Sequence, residues 1–149
     1  MKANAGSMLL IASLVACLVA CLGGCAGVAG ILGAHVNAYP GKELPIEQVA
    51  VLLPQGSQVA RVDGKHVGDA TLGYPSDVRV LPGERMLGLD CQKIVPAGMG
   101  PGMLTTRIEL TGHFEAGHFY APYCNEHGEA QYTAELRDLG TRDPRKKKD

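Results

Sequence analysis

The chain has 149 residues and contains 20 glycines, 9 prolines, no tryptophan and 2 phenylalanines. This composition predicts one domain with many turns and a core that is poor in aromatic side chains. Residues 25–140 carry 8 basic and 13 acidic side chains, a net charge of −5, so the sequence offers no basic face for nucleic-acid binding.

The N-terminus has the layout of a secretory signal. Its one charged residue is Lys2, an apolar run begins at Met8, and small residues close the segment. The last four positions, Leu22-Gly23-Gly24-Cys25, resemble the lipobox of bacterial lipoproteins. In that family the small residues fit the signal peptidase and the cysteine thiol carries a diacylglyceryl group. The resemblance implies a signal peptide over residues 1–24 and a lipid on Cys25.

Two other cysteines fit the same pattern. The tetrads ending at Cys17 and Cys21 also place an aliphatic residue and small residues before the thiol. Cys25 is preferred because it ends the apolar run, and Cys21 is its main competitor. A cleaved signal without lipid and an uncleaved membrane helix over residues 8–34 are further alternatives. Glycines crowd the second half of that segment and disfavour the helix.

The segment that follows the lipobox predicts a tether and a location. Residues 25–45 comprise the acylated cysteine and a stretch rich in Gly and Ala. In the lipoprotein family, Asp directly after the cysteine commonly retains the protein in the inner membrane, and here Ala26 occupies that position. The resemblance therefore implies a periplasm-facing protein anchored by lipid to the outer membrane, with an envelope protein as a further candidate partner.

The body of the chain, residues 46–140, has the alternation of short β-strands. Strands are predicted at 49–53, 59–62, 66–67, 77–81, 85–92, 104–114, 118–124 and 132–136. Turns are predicted at Asp63-Gly64, Pro82-Gly83 and Ala116-Gly117, and an irregular loop at 95–103. No segment after the signal predicts a helix of ten residues or more. We expect an all-β fold, an antiparallel β-sandwich or small barrel, with a disordered basic tail at 141–149.

Two stretches of the body carry a second resemblance. Residues 59–68 and 80–89 resemble the PEGA-type surface β-module, which has a strand, a VDGK-like turn and a later Pro-Gly turn that opens another strand. Residues 115–120, together with one cysteine on each of two strands, resemble small proteobacterial lipoproteins. Both resemblances imply a β-sandwich with a structural or binding role and not a catalyst.

Cys91 and Cys124 are the two cysteines left in the mature domain if Cys25 is acylated. Cys91 shares a strand face with Leu87 and Leu89, and Cys124 shares one with Tyr120, so both thiols are expected to point inward. An exported protein meets an oxidising compartment, which favours a Cys91–Cys124 disulfide. Two buried free thiols or a metal pair are the alternatives, although the pair lacks the close CxxC spacing of zinc sites.

His113, Glu115 and His118 form a compact set of metal-ligand residue types. His113 and Glu115 share one face of a strand, and a hairpin would bring His118 beside them, so the set could accept Zn or Cu. The alternative is that these polar residues lie at the solvent face of a hairpin. A periplasmic metal-binding lipoprotein is therefore the second functional hypothesis.

The motifs of common enzyme classes are missing from the sequence, which has no G-x-S-x-G, P-loop or dinucleotide fingerprint. We accordingly predict no catalytic residue, no cofactor and no small-molecule substrate. The main hypothesis is a membrane-anchored envelope lipoprotein with a structural or protein-binding role, whose edge strands are available for pairing with a partner.

Overall fold

A computed structural model describes residues 34–98, 100–128 and 131–146. The predicted signal peptide, Cys21 and Cys25 lie outside the described residues. The strands are β1 (His35–Asn37), β2 (Ala50–Leu52), β3 (Gln58–Val62), β4 (Lys65–His66), β5 (Asp77–Val80), β6 (Gly83–Ala97), β7 (Gly100–Phe114), β8 (Phe119–Glu126) and β9 (Tyr132–Gly140). A short 3₁₀ turn, Ile46–Gln48, precedes β2.

The strands form two sheets, with orders β1-β5-β2-β8-β9 and β4-β3-β6-β7. Most neighbours are antiparallel, while the pairs β1–β5 and β2–β8 are parallel. The predicted all-β class is confirmed, and the arrangement is a β-sandwich. In the described part of the chain there is no α-helix, and accordingly no helical segment of membrane-spanning length and hydropathy.

The core lies between the inward faces of the two sheets and is mostly aliphatic. Phe114 and Tyr120 supply its aromatic contact, with ring centroids 4.9 Å apart and the planes nearly perpendicular. The other fully buried side chains of this cluster include Leu52, Val59, Val78, Leu87 and Leu89. Strand β2 is buried on both faces, because Val51 and Leu53 pack with Phe119 on the outer side of their sheet. Two-sided burial fits its central position in that sheet.

The turn between β3 and β4 agrees with its sequence. Asp63 and Gly64 both have positive φ, +49° and +77°, which is the requirement of the type I′ hairpin turn that Asp-Gly favours. The Asp63 carboxylate also accepts a hydrogen bond from the backbone N–H of Met86, at 3.0 Å. The turn is thus tied to β6 as well as closing its own hairpin.

The hairpin of β6 and β7 is much longer than predicted. Its register runs without interruption from Gly83 opposite Phe114 to Ala97 opposite Gly100. The expectation of an irregular loop over 95–103 is therefore wrong for the described residues of that stretch. Pro96 lies opposite Pro101, and a proline is tolerated where its nitrogen faces away from the partner strand. The glycines and prolines of this stretch thus remain compatible with a continuous two-stranded ladder.

The predicted tether also contains structure near its C-terminal end. His35–Asn37 forms β1 and pairs with β5, Tyr39 is buried, and the hydroxyl of Tyr39 accepts a hydrogen bond from the backbone N–H of Leu44, at 3.0 Å. Val36 and Ala38 pack against the core. The folded domain therefore begins before residue 46, because these small apolar side chains extend the sheet.

The first part of the predicted basic tail is tied to the sandwich. Arg145 donates to the buried carboxylate of Asp77, at 2.7 Å, and its other nitrogens donate to Asp143 at 3.0 Å. The second oxygen of Asp77 has no hydrogen-bond partner among the described residues. Residues 141–146 thus differ from the predicted disorder because a buried carboxylate holds them, and residues 147–149 lie outside the described part.

Cys91 and Cys124 are joined in a disulfide, with their Cα atoms 5.7 Å apart. Cys91 belongs to β6 and Cys124 to β8, so the bond links the two sheets. This is the pairing that the strand phases predict.

Removal of the disulfide should destabilise the domain substantially. The cysteines are 33 residues apart, and cross-linking a loop of that length stabilises by about 3–4 kcal/mol in the chain-entropy model. Urea unfolding of the double variant Cys91→Ala/Cys124→Ala, compared with the oxidised protein, measures the difference. Reduced wild-type protein is the matched control and should resemble the variant; equal midpoints for the oxidised protein and the variant would contradict the prediction.

Loss of the tail contact should also be measurable. Arg145→Ala leaves the Asp77 carboxylate buried without its partner, and we expect a loss of roughly 1–3 kcal/mol in unfolding free energy. Arg142→Ala, at an exposed position of the same segment, is the control and should change stability little. A similar small effect for both variants would show that the tail contact contributes nothing.

Candidate functional site

Beyond Lys93 the β6–β7 hairpin forms a projection that we call the apolar arm, residues 94–98 and 100–104. Strand β3 reaches along β6 only as far as Asp90, so past that residue β6 and β7 pair only with each other in the described sheet. The ion pair of Lys93 with Glu126 joins the hairpin to the other sheet at the base of the arm. Four further strand pairs follow, a length of about 14 Å at the usual rise per residue.

The arm concentrates exposed apolar side chains. Ile94 is 77% exposed, Met103 58% and Leu104 41%. The other large exposed apolar residues of the described chain are Leu72, at 59%, and Met86, at 40%. Clusters of exposed apolar side chains mark interaction sites more often than single ones do, so the arm is the strongest candidate surface of this domain.

Both faces of the arm are apolar. Successive side chains of a strand point to opposite faces, so Ile94, Pro96 and their partners Met103 and Pro101 share the outer face. The opposite face carries Val95, Ala97 and Leu104, with Gly100 and Gly102 between them. No ionisable side chain occurs from residue 94 to residue 104. The arm is therefore apolar on both of its side-chain faces and not on one face alone.

The first described residue lies toward the arm. The links Cys91–Cys124 and Lys93–Glu126 join residues successively farther along β6 and β8, so these two strands run in the same direction, toward the arm tip. Strand β2 is parallel to β8, β5 is antiparallel to β2, and β1 is parallel to β5. Strand β1 therefore runs away from the arm, and Ala34, which precedes it, lies at the arm end of the sandwich.

A buried carboxylate lies below the arm on the outer face of its sheet. Asp90 is 2% exposed and accepts two hydrogen bonds from the Arg107 guanidinium, at 2.6 and 2.8 Å. The hydroxyl of Tyr74 donates a third, at 2.7 Å. Arg107 lies directly opposite Asp90 in the β6–β7 ladder, and Tyr74 comes from the segment between β4 and β5.

These contacts determine the charge states of the cluster. Burial alone would raise the pKa of Asp90, but the hydrogen bonds from Arg107 and Tyr74 outweigh it and hold this pKa below its ordinary value of 3.8. Burial, followed by the hydrogen bond to Asp90, raises the pKa of Tyr74 to about 12. Both Asp90 oxygens are engaged, so this carboxylate fastens the ladder and is not free to accept a proton from a substrate.

The predicted metal ligands are only partly brought together. Nδ1 of His118 lies 3.0 Å from the Asp138 carboxylate, and its Nε2 lies 3.4 Å from that of Glu115. His113, by contrast, lies on β7 opposite Glu84 of β6. Across residues 34–98, 100–128 and 131–146, no group of three or more His, Cys, Asp or Glu side chains is arranged to hold a metal ion. The set His113, Glu115 and His118 is therefore not assembled as a metal site.

The reason lies in the turn between β7 and β8. Strand β7 ends at Phe114, and Glu115 begins the turn, where its backbone N–H donates to the hydroxyl of Tyr120 at 2.9 Å. Glu115 therefore no longer follows the strand alternation that would place it beside His113. His118 turns instead toward Asp138 of β9, a residue that sequence spacing does not associate with it.

Comparisons with known proteins add no identification: no protein-family model, no curated protein and no solved structure matches this chain.

Sequence reasoning missed both the arm and the Asp90 cluster. The uncharged apolar run from residue 94 to residue 104 is visible in the sequence, but its Gly and Pro content favours a loop over a strand pair. The Asp90–Arg107 contact has a weak signal, since the two residues lie opposite each other once the hairpin register is known. Tyr74 approaches from a separate segment and has no signal of that kind.

Arg107→Met should destabilise the domain by roughly 1.5–3 kcal/mol, because it removes charged hydrogen bonds from a buried carboxylate. Asp90 has a lowered pKa in the folded state, so its stabilisation is present above pH 3.8 and is lost as pH falls through the folded-state value. The difference in unfolding free energy between Arg107→Met and the wild type should therefore be smaller in acid. Urea unfolding of both proteins at neutral pH and well below pH 3.8 measures this difference.

The control is Lys93→Met on the same hairpin, which breaks the exposed Lys93–Glu126 pair and should cost no more than about 1 kcal/mol. A gap for Arg107→Met that stayed constant through the acid range would show that Asp90 ionisation is not the source of the effect.

Proposed function

We propose that this protein is an envelope lipoprotein, acylated at Cys25 and held at the periplasmic face of the outer membrane. The anchored part is the β-sandwich, and its role is structural or protein-binding rather than catalytic. The Leu22-Gly23-Gly24-Cys25 tetrad supports the anchor. The disulfide between β6 and β8 supports export, because such bonds persist in oxidising compartments.

The observation that carries the proposal is the shortness of the connection. Ala34 follows Cys25 by nine positions, and nine residues span at most about 32 Å even when fully extended. A lipid on Cys25 would therefore keep the arm end of the sandwich close to the bilayer. With so short a connection, the β-sandwich would act at the membrane surface. It would not reach across the periplasm.

The contacts of the polar side chains favour binding over catalysis. Asp90 is saturated by Arg107 and Tyr74, and His118 faces two carboxylates rather than a nucleophile. Two of the four edge strands, β1 and β4, are short, and short edge strands resist uncontrolled strand addition. The other two edges, β7 and β9, are longer and are the edges at which a partner strand could pair.

The anchor is tested by the intact mass of the protein extracted from membranes. We expect the mass of residues 25–149 plus acyl groups, with the Cys91–Cys124 disulfide retained. Cys25→Ser should abolish acylation and leave the unprocessed chain, because serine has no thiol to receive the diacylglyceryl group. The matched control Cys21→Ser removes a thiol from the same segment and should be processed and acylated as the wild type is.

The reverse pattern, with Cys21→Ser unprocessed and Cys25→Ser normal, would move the anchor to Cys21. Normal membrane association of both variants, with no acyl mass on the extracted protein, would refute lipid anchoring altogether.

A further inference from the structure

We propose that the apolar arm is a second membrane contact, with its tip in the headgroup region of the same bilayer that holds the lipid on Cys25. This inference rests on the proposed lipid anchor and adds a defined orientation to it. The domain would then stand on two supports, the acyl chains and the arm, with the long axis of the β6–β7 hairpin pointing toward the membrane.

The arm lies at the end of the sandwich from which the chain leads back to Cys25. The strand directions place Ala34 and the arm at the same end of the sandwich. From the level of Asp90, the last residue of β6 that pairs with β3, seven residues lead to Ala97, a length of about 24 Å. The stretch from Cys25 to Ala34 spans at most about 32 Å. The two lengths are comparable, so the arm can reach a surface to which Cys25 is fixed.

The chemistry of the arm distinguishes a membrane from a protein partner. A protein partner usually meets an apolar patch on one face, surrounded by a polar rim. Here Ile94 and Met103 lie on one face while Val95 and Leu104 lie on the other, and no ionisable group interrupts residues 94–104. Two apolar faces match insertion among lipids, which contact both faces of a ribbon at once.

The two prolines argue against strand addition as the use of the arm. Pro96 and Pro101 face each other in the ladder, and each lacks the N–H that an added strand would need. Proline on an edge is a recognised means of preventing edge-to-edge pairing. Because these two residues have no N–H, the arm also carries fewer unpaired backbone donors into a less polar environment.

The backbone limits how deep the arm can go. A two-stranded ribbon leaves unpaired N–H and C=O groups along its outer edges, and open sheet edges do not occur in the hydrocarbon core. The contact is therefore with the interface, at the depth of about 5–10 Å reached by surface-bound amphipathic segments. Water and headgroups remain available there to satisfy the edges.

The test uses a single introduced tryptophan in the full, membrane-extracted protein. The chain has no tryptophan of its own, so Met103→Trp places one reporter on the arm and Met86→Trp places one at a control position on β6. Both native side chains are partly exposed, at 58% and 40%. Each variant is reconstituted into vesicles of phosphatidylethanolamine and phosphatidylglycerol, with and without brominated phospholipid. Urea unfolding verifies that both variants are folded.

We expect Met103→Trp to show a blue-shifted emission and a loss of intensity in the brominated vesicles. Met86→Trp should keep a water-like emission and its intensity. Adding Ile94→Glu, directly opposite residue 103, should reverse the quenching, because it places a charge in the contact. Adding Leu72→Glu, which alters another exposed apolar residue outside the arm, should leave the quenching unchanged.

The outcomes separate this proposal from the anchor on which it rests. An acylated protein that floats with the vesicles but shows no quenching at residue 103 overturns the membrane contact and leaves the anchor intact. A blue shift at residue 103 without quenching by brominated lipid points to burial against protein and also overturns it. If the intact mass shows no acyl group and the protein does not float, the anchor and the arm contact both fall.

Discussion

The contact between the inward face of β6 and strand β8 is the constraint on which the rest of this structure depends. The two sheets have separate hydrogen-bonding ladders, so side-chain contacts and the segments that connect the strands hold them together. Leu87 and Leu89 fill the core from β6, and the next inward residue, Cys91, is bonded covalently to Cys124. With few aromatic side chains to bury, a small domain gains from such a cross-link. The same linkage sets the level at which the free part of the hairpin begins.

Features that depend on neighbouring residues were predictable from the sequence. The Asp63-Gly64 turn requires two residues that tolerate positive φ, and the chain supplies both where the backbone needs them. The alternation of Leu87, Leu89 and Cys91 identified the inward face of β6, and with it one partner of the disulfide. Together these local signals were sufficient for the all-β class and for most strand positions.

Features that depend on distant partners were not predictable in the same way. Strand β1 pairs in parallel with β5, some 40 positions later, and a parallel pair leaves no turn signal between its strands. The apolar arm is held by main-chain pairing between β6 and β7, which its Gly- and Pro-rich sequence does not predict. His118 was associated with His113 by spacing, but the turn at Glu115 directs it to Asp138. Each of these outcomes needs the three-dimensional register before it can be seen.

The ion pair between Arg145 and Asp77 has a consequence for inserting this domain into other proteins. Asp77 is the register partner of His35, so the last described stretch of the chain is fastened beside β1. Domains whose two ends emerge side by side accept transplantation into a loop of a host protein with little distortion of either. For the same reason, a protein fused after Lys146 would be attached close to β1 and not at the opposite end of the sandwich.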